Sequence, residues 1–340
     1  MANKQPLMDR ESRKWTDSSQ SIESKIHDAC QKNETQKVTH FLLRRKKDIN
    51  AKKLDEFGSL FVAIDNNNFL IVDGLLGIGC NPNVKNSNKE PALFVALVNG
   101  NMCIASSLID HGANVRKTLF LAIRKGLSDI VKKFLDLQVN VGIIKDKKGY
   151  TPLCLAIDLN NLEIVKLLSK HYADTNIKEK SDITPLILAV ANGNAEIVKE
   201  LLKNGAQVDG KSSIGLTAFM NAWIDKQMDV AKILLDYGAD VDFCWQDRST
   251  ALHDASSDGS FENVKFLLEH NANVYAVDDE KCTPLHLATE NDHAKVVKLL
   301  LISGGNDLSI RNIEGHTAFE SAIAKNNIKV TKMITYHESF

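Results

Sequence analysis

This 340-residue chain has no excess of charge of either sign. Its 42 Lys and Arg stand against 43 Asp and Glu, a formal net charge of −1. Bulk charge therefore steers it toward neither nucleic acid nor membrane. No apolar run is long enough to span a bilayer, and no apolar signal core follows the initial Met-Ala-Asn-Lys. Cysteine is sparse and scattered, at positions 30, 80, 103, 154, 244 and 282, with no Cys-x-x-Cys pair. That pattern argues against a disulfide framework or a zinc site and fits a reduced, intracellular setting. Also missing are His-Glu-x-x-His, a phosphate loop and a Gly-x-Ser-x-Gly elbow. Gly77 and Gly79 in LGIGCNPN lack the third glycine of a dinucleotide fingerprint and read as a turn. The expectation is a chain with no catalytic residues, no metal and no cofactor.

What is present is a period. The stretch TPLHLATENDHAKVVKLLLISGG, from Thr283 to Gly305, offers Thr283 as a helix cap and Pro284 at the first turn. Two short apolar faces follow, and two helices of roughly ten residues are marginal in water alone. Copies of the opening motif put an alanine at 156, 189, 222, 255, 288 and 322, with successive steps of 33, 33, 33, 33 and 34. Fainter copies place Ala29, Ala63, Ala96 and Ala122 on the same ladder, so ten repeats fill almost the whole chain. A fixed period of this size predicts a solenoid whose repeats bury their faces only against neighbours.

Thr-Pro-Leu-His-Leu-Ala, an apolar second helix, and closings such as HGANV (111–115), NGAQVD (204–209), YGADVD (237–242) and HNANV (270–274) resemble the ankyrin repeat. The resemblance covers residues 21–340 and implies an all-α repeat solenoid of helix–loop–helix units joined by short β-hairpin fingers. It further implies a concave face and finger tips that bind proteins. His27, His253 and His286 hold the histidine position of the motif, where the family's side chain ties neighbouring loops by hydrogen bonds. Asp28 replaces the second leucine of the first motif, and Thr331 and Thr335 stand where other repeats place Val and Leu. These polar residues predict capping repeats at both ends of a 21–340 domain. Residues 1–20 are polar and aperiodic and read as a disordered tail, with Trp15 its one large aromatic.

Several departures from the repeat are candidate sites. RRKKDINAKK gathers Arg44, Arg45, Lys46, Lys47, Lys52 and Lys53, a basic patch that reads as an import signal, an anion site or a solvated helix end. Asn50, which closes LLRRKKDIN, resembles the motif that asparaginyl hydroxylases modify in ankyrin domains. Asn176 matches less well because Thr175 precedes it, and either asparagine can instead satisfy hairpin backbone groups. From Val115 to Thr118 there is no room for a finger, since the step from Ala96 to Ala122 is only 26. Fingers drift from basic at KDKKGY (Lys145–Tyr150) to acidic at DDEKC (Asp278–Cys282), where Asp278, Asp279 and Glu280 carry the charge.

Phe243 and Trp245 occupy a finger whose counterparts are polar, and Trp223 replaces a small residue in the preceding first helix. As a hot spot they would form an aromatic anchor, aided by the acidic finger; as scaffold they would pack between fingers. The leading expectation is a noncatalytic, monomeric, elongated scaffold or adaptor for one or more proteins, cytoplasmic or else nuclear, bound to neither membrane nor nucleic acid. The alternative is a regulatory or sensor ankyrin module of an enzyme system, one that senses a nucleotide or anion or recruits substrate. GLTAFMNA…VAKILLDYGADVD is similar to an ankyrin unit of the oligoadenylate-dependent ribonuclease, although the match lies mostly in scaffold residues.

Overall fold

Each repeat starts its first helix in the same way. Thr151, Thr184, Thr217, Thr283 and Thr317 hold extended backbone angles, and each hydroxyl accepts the N–H three residues on, at 3.2–3.4 Å. Such caps satisfy a donor that the helix cannot. Proline at the first turn of three of these helices gives up no intrahelical bond. The computed structural model describes residues 20–138, 140–142, 144–171, 175–177, 183–304 and 307–337. The expected tail at 1–20 thus lies outside the described residues except for Gln20.

Contacts divide the chain into two units, one ending at Lys148 and the other starting at Gly149. The N-terminal unit holds four helix pairs: Ile22–Gln31 with Thr35–Arg44, Ser59–Asp65 with Phe69–Gly77, Ala92–Val98 with Met102–Asp110, and Val115–Arg124 with Ser128–Asp136. The C-terminal unit holds six: Pro152–Asp158 with Leu162–His171, Pro185–Ala191 with Ala195–Lys203, Ala218–Ile224 with Met228–Asp236, Ala251–Ser257 with Phe261–Glu269, Pro284–Glu290 with Ala294–Ile302, and Ala318–Ala324 with Ile328–His337. Within each unit, first helices pack on first helices and second helices on second helices. All ten anchor alanines are buried, none more than 2% exposed. A side chain of one carbon lets neighbouring first helices of a unit approach closely, and apolar residues on both flanks form the core of each unit.

The fingers are tighter than two-stranded hairpins. In the finger at Trp245–Ser249, the Trp245 N–H donates to the Ser249 carbonyl at 2.9 Å and the Arg248 N–H to the Trp245 carbonyl at 3.1 Å. Arg248 has a φ of 60°, the left-handed position that Gly215 holds in the preceding finger. This is a type I turn closed by a left-handed residue. Among the described residues the sole β-bridge joins Lys85 and Pro91.

Two fingers of the N-terminal unit are remodelled. After the first repeat, Lys46–Asp48 forms a 3-10 turn and Ala51–Glu56 a short helix. Farther on, helix Val115–Arg124 begins directly after Asn114, whose side chain accepts the Lys117 N–H at 2.9 Å. The finger that the short spacing left no room for has become the first turn of that helix.

Candidate functional site

The aromatic finger of the C-terminal unit lines an open groove of about 820 Å³ shared with the finger before it. Met220, Ile214, Phe243 and Trp245 give it an apolar lining, with Lys211 and Asp247 as charged members. Trp245 and Phe243 are half-buried and Cys244 between them is exposed, while Ile214 at the opposite tip is 69% exposed. The Lys211 ammonium lies 4.4 Å from the centre of the Phe243 ring, a cation–π contact that joins the two fingers. The contact fixes the Phe243 ring against the preceding finger.

The other residues expected beside this anchor are placed elsewhere. Trp223 is buried, with its ring 6.2 Å from that of Phe219, and its indole N–H donates to Asp254 of the next repeat at 2.8 Å. It fills the scaffold and does not line the groove. Asp278 folds back to accept the Cys282 N–H at 2.8 Å and closes its own finger. Asp279 and Glu280 are exposed and lie outside the groove lining. Their backbones link the finger row, Asp279 N–H to the Asp247 carbonyl at 2.9 Å and Ile313 N–H to the Glu280 carbonyl at 2.8 Å. Sequence reading missed Lys211 and Asp254. Asp254 did leave a signal, since it stands where the repeat motif has its second leucine, one repeat after an unusual Trp.

In the N-terminal unit, Arg44, Arg45, Lys46, Lys47, Lys52 and Lys53 are all exposed. They ride on a helix end, a 3-10 turn and a second helix, so an import receptor that reads an extended basic strand would have to unwind them. Asn50 caps that second helix by accepting the Lys52 N–H at 3.1 Å. Asn176 bridges to the next finger, accepting the Gln207 N–H at 2.7 Å and donating to the Gly205 carbonyl at 3.1 Å. Asn83 makes the same pair of bonds to Asn114 and Gly112.

The histidines are ties. His253 Nδ1 accepts the Thr250 N–H at 3.1 Å, which leaves Nε2–H to donate to the Cys282 carbonyl of the next finger at 3.0 Å. His286 repeats this with Thr283 and His316, at 3.2 Å in both cases. His27 bonds Ser59 of the next repeat at 3.0 Å. Burial pulls the pKa of His253 and of His286 down, and carboxylates such as Asp278 oppose this without reversing it. Unfolded histidine takes a proton near about pH 6.5, above the folded values, so the unfolded chain binds more protons as pH falls. The stability from these ties is complete above that pH and is lost as pH drops through the folded pKa values. The denaturation midpoint should therefore fall between about pH 7.5 and about pH 5.5, a window above the carboxylate range. In a His253→Gln, His286→Gln chain the fall should shrink; a fall of unchanged size would assign it to other groups.

None of the six cysteines is joined in a disulfide. Burial pushes the Cys30, Cys80 and Cys282 thiols up to about 12, which leaves them unreactive. Cys103 and Cys244 are the exposed pair. Among the described residues no group of three His, Cys, Asp or Glu could hold a metal ion, and no helix is long and apolar enough to cross a membrane.

Comparisons with known proteins agree with this architecture. A family model described as ankyrin repeats in three copies matches residues 60–143, 119–212, 186–278, 219–312 and 273–339. No curated protein matches the chain. Among solved structures, the ankyrin repeat domain of Bcl-3, a protein described as a unique member of the IkappaB family, is 25% identical with a TM-score of 0.56. That similarity covers 63% of this chain and 97% of the Bcl-3 domain chain. Capped first helices, buried anchor alanines, histidine ties and finger turns recur at the matched period, and the chain belongs to the ankyrin-repeat family, whose fold is a protein-interaction module.

Proposed function

We propose that the protein is a noncatalytic adaptor that holds a partner polypeptide at the finger row of its C-terminal unit, with Phe243 and Trp245 as the anchor. The observation that carries this reading is the groove of about 820 Å³, with apolar residues inside and charged Lys211 and Asp247 beside them. Such a composition suits an apolar side chain of a partner flanked by polar contacts, the usual anatomy of a protein interface. Six cysteines outside any disulfide fit work inside the cell, where cysteine stays reduced.

The two exposed thiols supply the test. Cys244 lies between the two aromatics, whereas Cys103 is in the other unit. A photo-crosslinker carried by Cys244 in a Cys103→Ser chain should trap a defined partner, and one carried by Cys103 in a Cys244→Ser chain should not. Equal trapping from both thiols, or trapping from Cys103 alone, would place the partner elsewhere.

A further inference from the structure

The formal net charge of −1 conceals a division. Residues 1–148 carry 24 Lys and Arg against 16 Asp and Glu, and residues 149–340 carry 18 against 27. The excess of eight cations in the N-terminal unit has to be displayed somewhere, and three successive finger positions show where. Lys85 and Lys89 stand exposed on one finger, Arg116 and Lys117 where the next finger is missing, and Lys147 and Lys148 on the one after. The three positions are stitched together. Asn83 bonds Gly112 and Asn114, Lys125 pairs with Glu90 at 2.9 Å, and Arg124 pairs with Asp146 at 2.9 Å. With the Arg44–Lys53 cluster, every finger position of this unit presents surplus cations.

Arg116 and Lys117 are placed against local electrostatics. They occupy the first turn of helix Val115–Arg124, which has no acidic residue there, so they face the positive end of the helix dipole. Residues that break a local rule without a visible structural gain mark functional surface. We infer that this edge is a docking surface for an acidic polypeptide segment, distinct from the aromatic groove of the other unit.

Carboxylate is the anion that the geometry favours, because Glu90 and Asp146 already engage Lys125 and Arg124 on this edge at 2.9 Å. Single-stranded nucleic acid also wants aromatic faces on which bases stack. Across the three finger positions, from residue 81 to 150, the aromatic residues are Phe94, Phe120 and Phe134, all buried, and Tyr150, half-buried, so no exposed Phe, Tyr or Trp is offered for stacking there. The rings of Phe94 and Phe120 already carry Lys125 and Arg124 at 5.0 and 5.9 Å. Loss of the finger between Asn114 and Thr118 leaves a gap in the row where an extended chain could cross.

The test uses the full chain and a labelled polyglutamate peptide, with fluorescence anisotropy at about 0.05 and about 0.3 M salt. Binding should weaken at the higher salt and fall about tenfold or more in an Arg116→Glu, Lys117→Glu variant, since each exposed ion pair contributes modestly. The thermal midpoint of that variant should hold or rise, because acidic residues suit a helix start. Lys147→Glu with Lys148→Glu, on a separate finger, should weaken binding independently, and Trp245→Ala should leave it unchanged. Unchanged peptide binding in both charge-reversal variants would overturn the inference. So would tighter binding of a single-stranded RNA or a nucleic-acid duplex than of the peptide. Low-salt self-association abolished by Arg116→Glu, Lys117→Glu would do the same, by making a second copy of this chain the occupant.

Discussion

Trp223→Ala is expected to lower the unfolding free energy by about 3–5 kcal/mol, the range for truncating a large aromatic in a packed interior. Trp223 is 6% exposed and packs near Phe219, so its removal leaves a void that short flanking helices collapse into only in part. The variant also frees Asp254 from its indole donor. Because Asp254 is itself exposed, water replaces that donor and the hydrogen bond contributes only about 0.5–1.5 kcal/mol. Packing should dominate. Urea denaturation of Trp223→Ala, Asp254→Ala and the double variant separates the two contributions through their coupling energy. A Trp223→Ala loss below about 1 kcal/mol would show that this face of the repeat is not tightly packed.

Trp245→Ala is expected to behave in the opposite way. Its indole is half-buried at the groove, and its backbone bonds to Ser249 and Arg248 do not depend on the side chain. Truncation away from a packed core costs about 1 kcal/mol or less, whereas a hot-spot aromatic contributes about 2 kcal/mol or more to binding, roughly 30-fold in Kd. The partner trapped through Cys244 should therefore be lost from Trp245→Ala under conditions where the denaturation midpoint barely moves. Retained binding with a large drop in midpoint would return Trp245 to the scaffold. Phe243→Ala should fall between the two cases, since it also gives up its cation–π contact with Lys211.

The architecture was legible because its determinants are local and repeated. Thr-Pro caps, a one-carbon anchor and a 33-residue step each follow from short-range physics, and all ten anchors are buried. The finger lost at Val115–Thr118 was equally readable, from spacing alone. Helix Ala51–Glu56 was not, since Asn50 both fits the closing motif and can cap a helix, and only the structure decides between those uses. Phe243 and Trp245 could be singled out as departures from a polar pattern, but departure alone does not reveal burial. Trp223 departed just as visibly and is interior, because its partner Asp254 lies 31 residues away. The drift of the fingers from basic to acidic was readable, but the size of the charge division was not, because a whole-chain sum cancels it and it takes meaning only once contacts define where one unit ends.

The ties between neighbouring repeats bear on how the chain is made. Among the described residues, the side-chain ties span no more than the 38 residues from Thr289 to Asn327, so no layer waits for a distant part of the sequence. A ribosome adds about 5–20 residues each second, so one repeat emerges every few seconds, far slower than helices and short loops form. Each new repeat can therefore dock on the one synthesised before it. The growing end always presents a bare apolar face, and that face, covered only when the next 33 residues arrive, is where a nascent-chain chaperone would find its substrate.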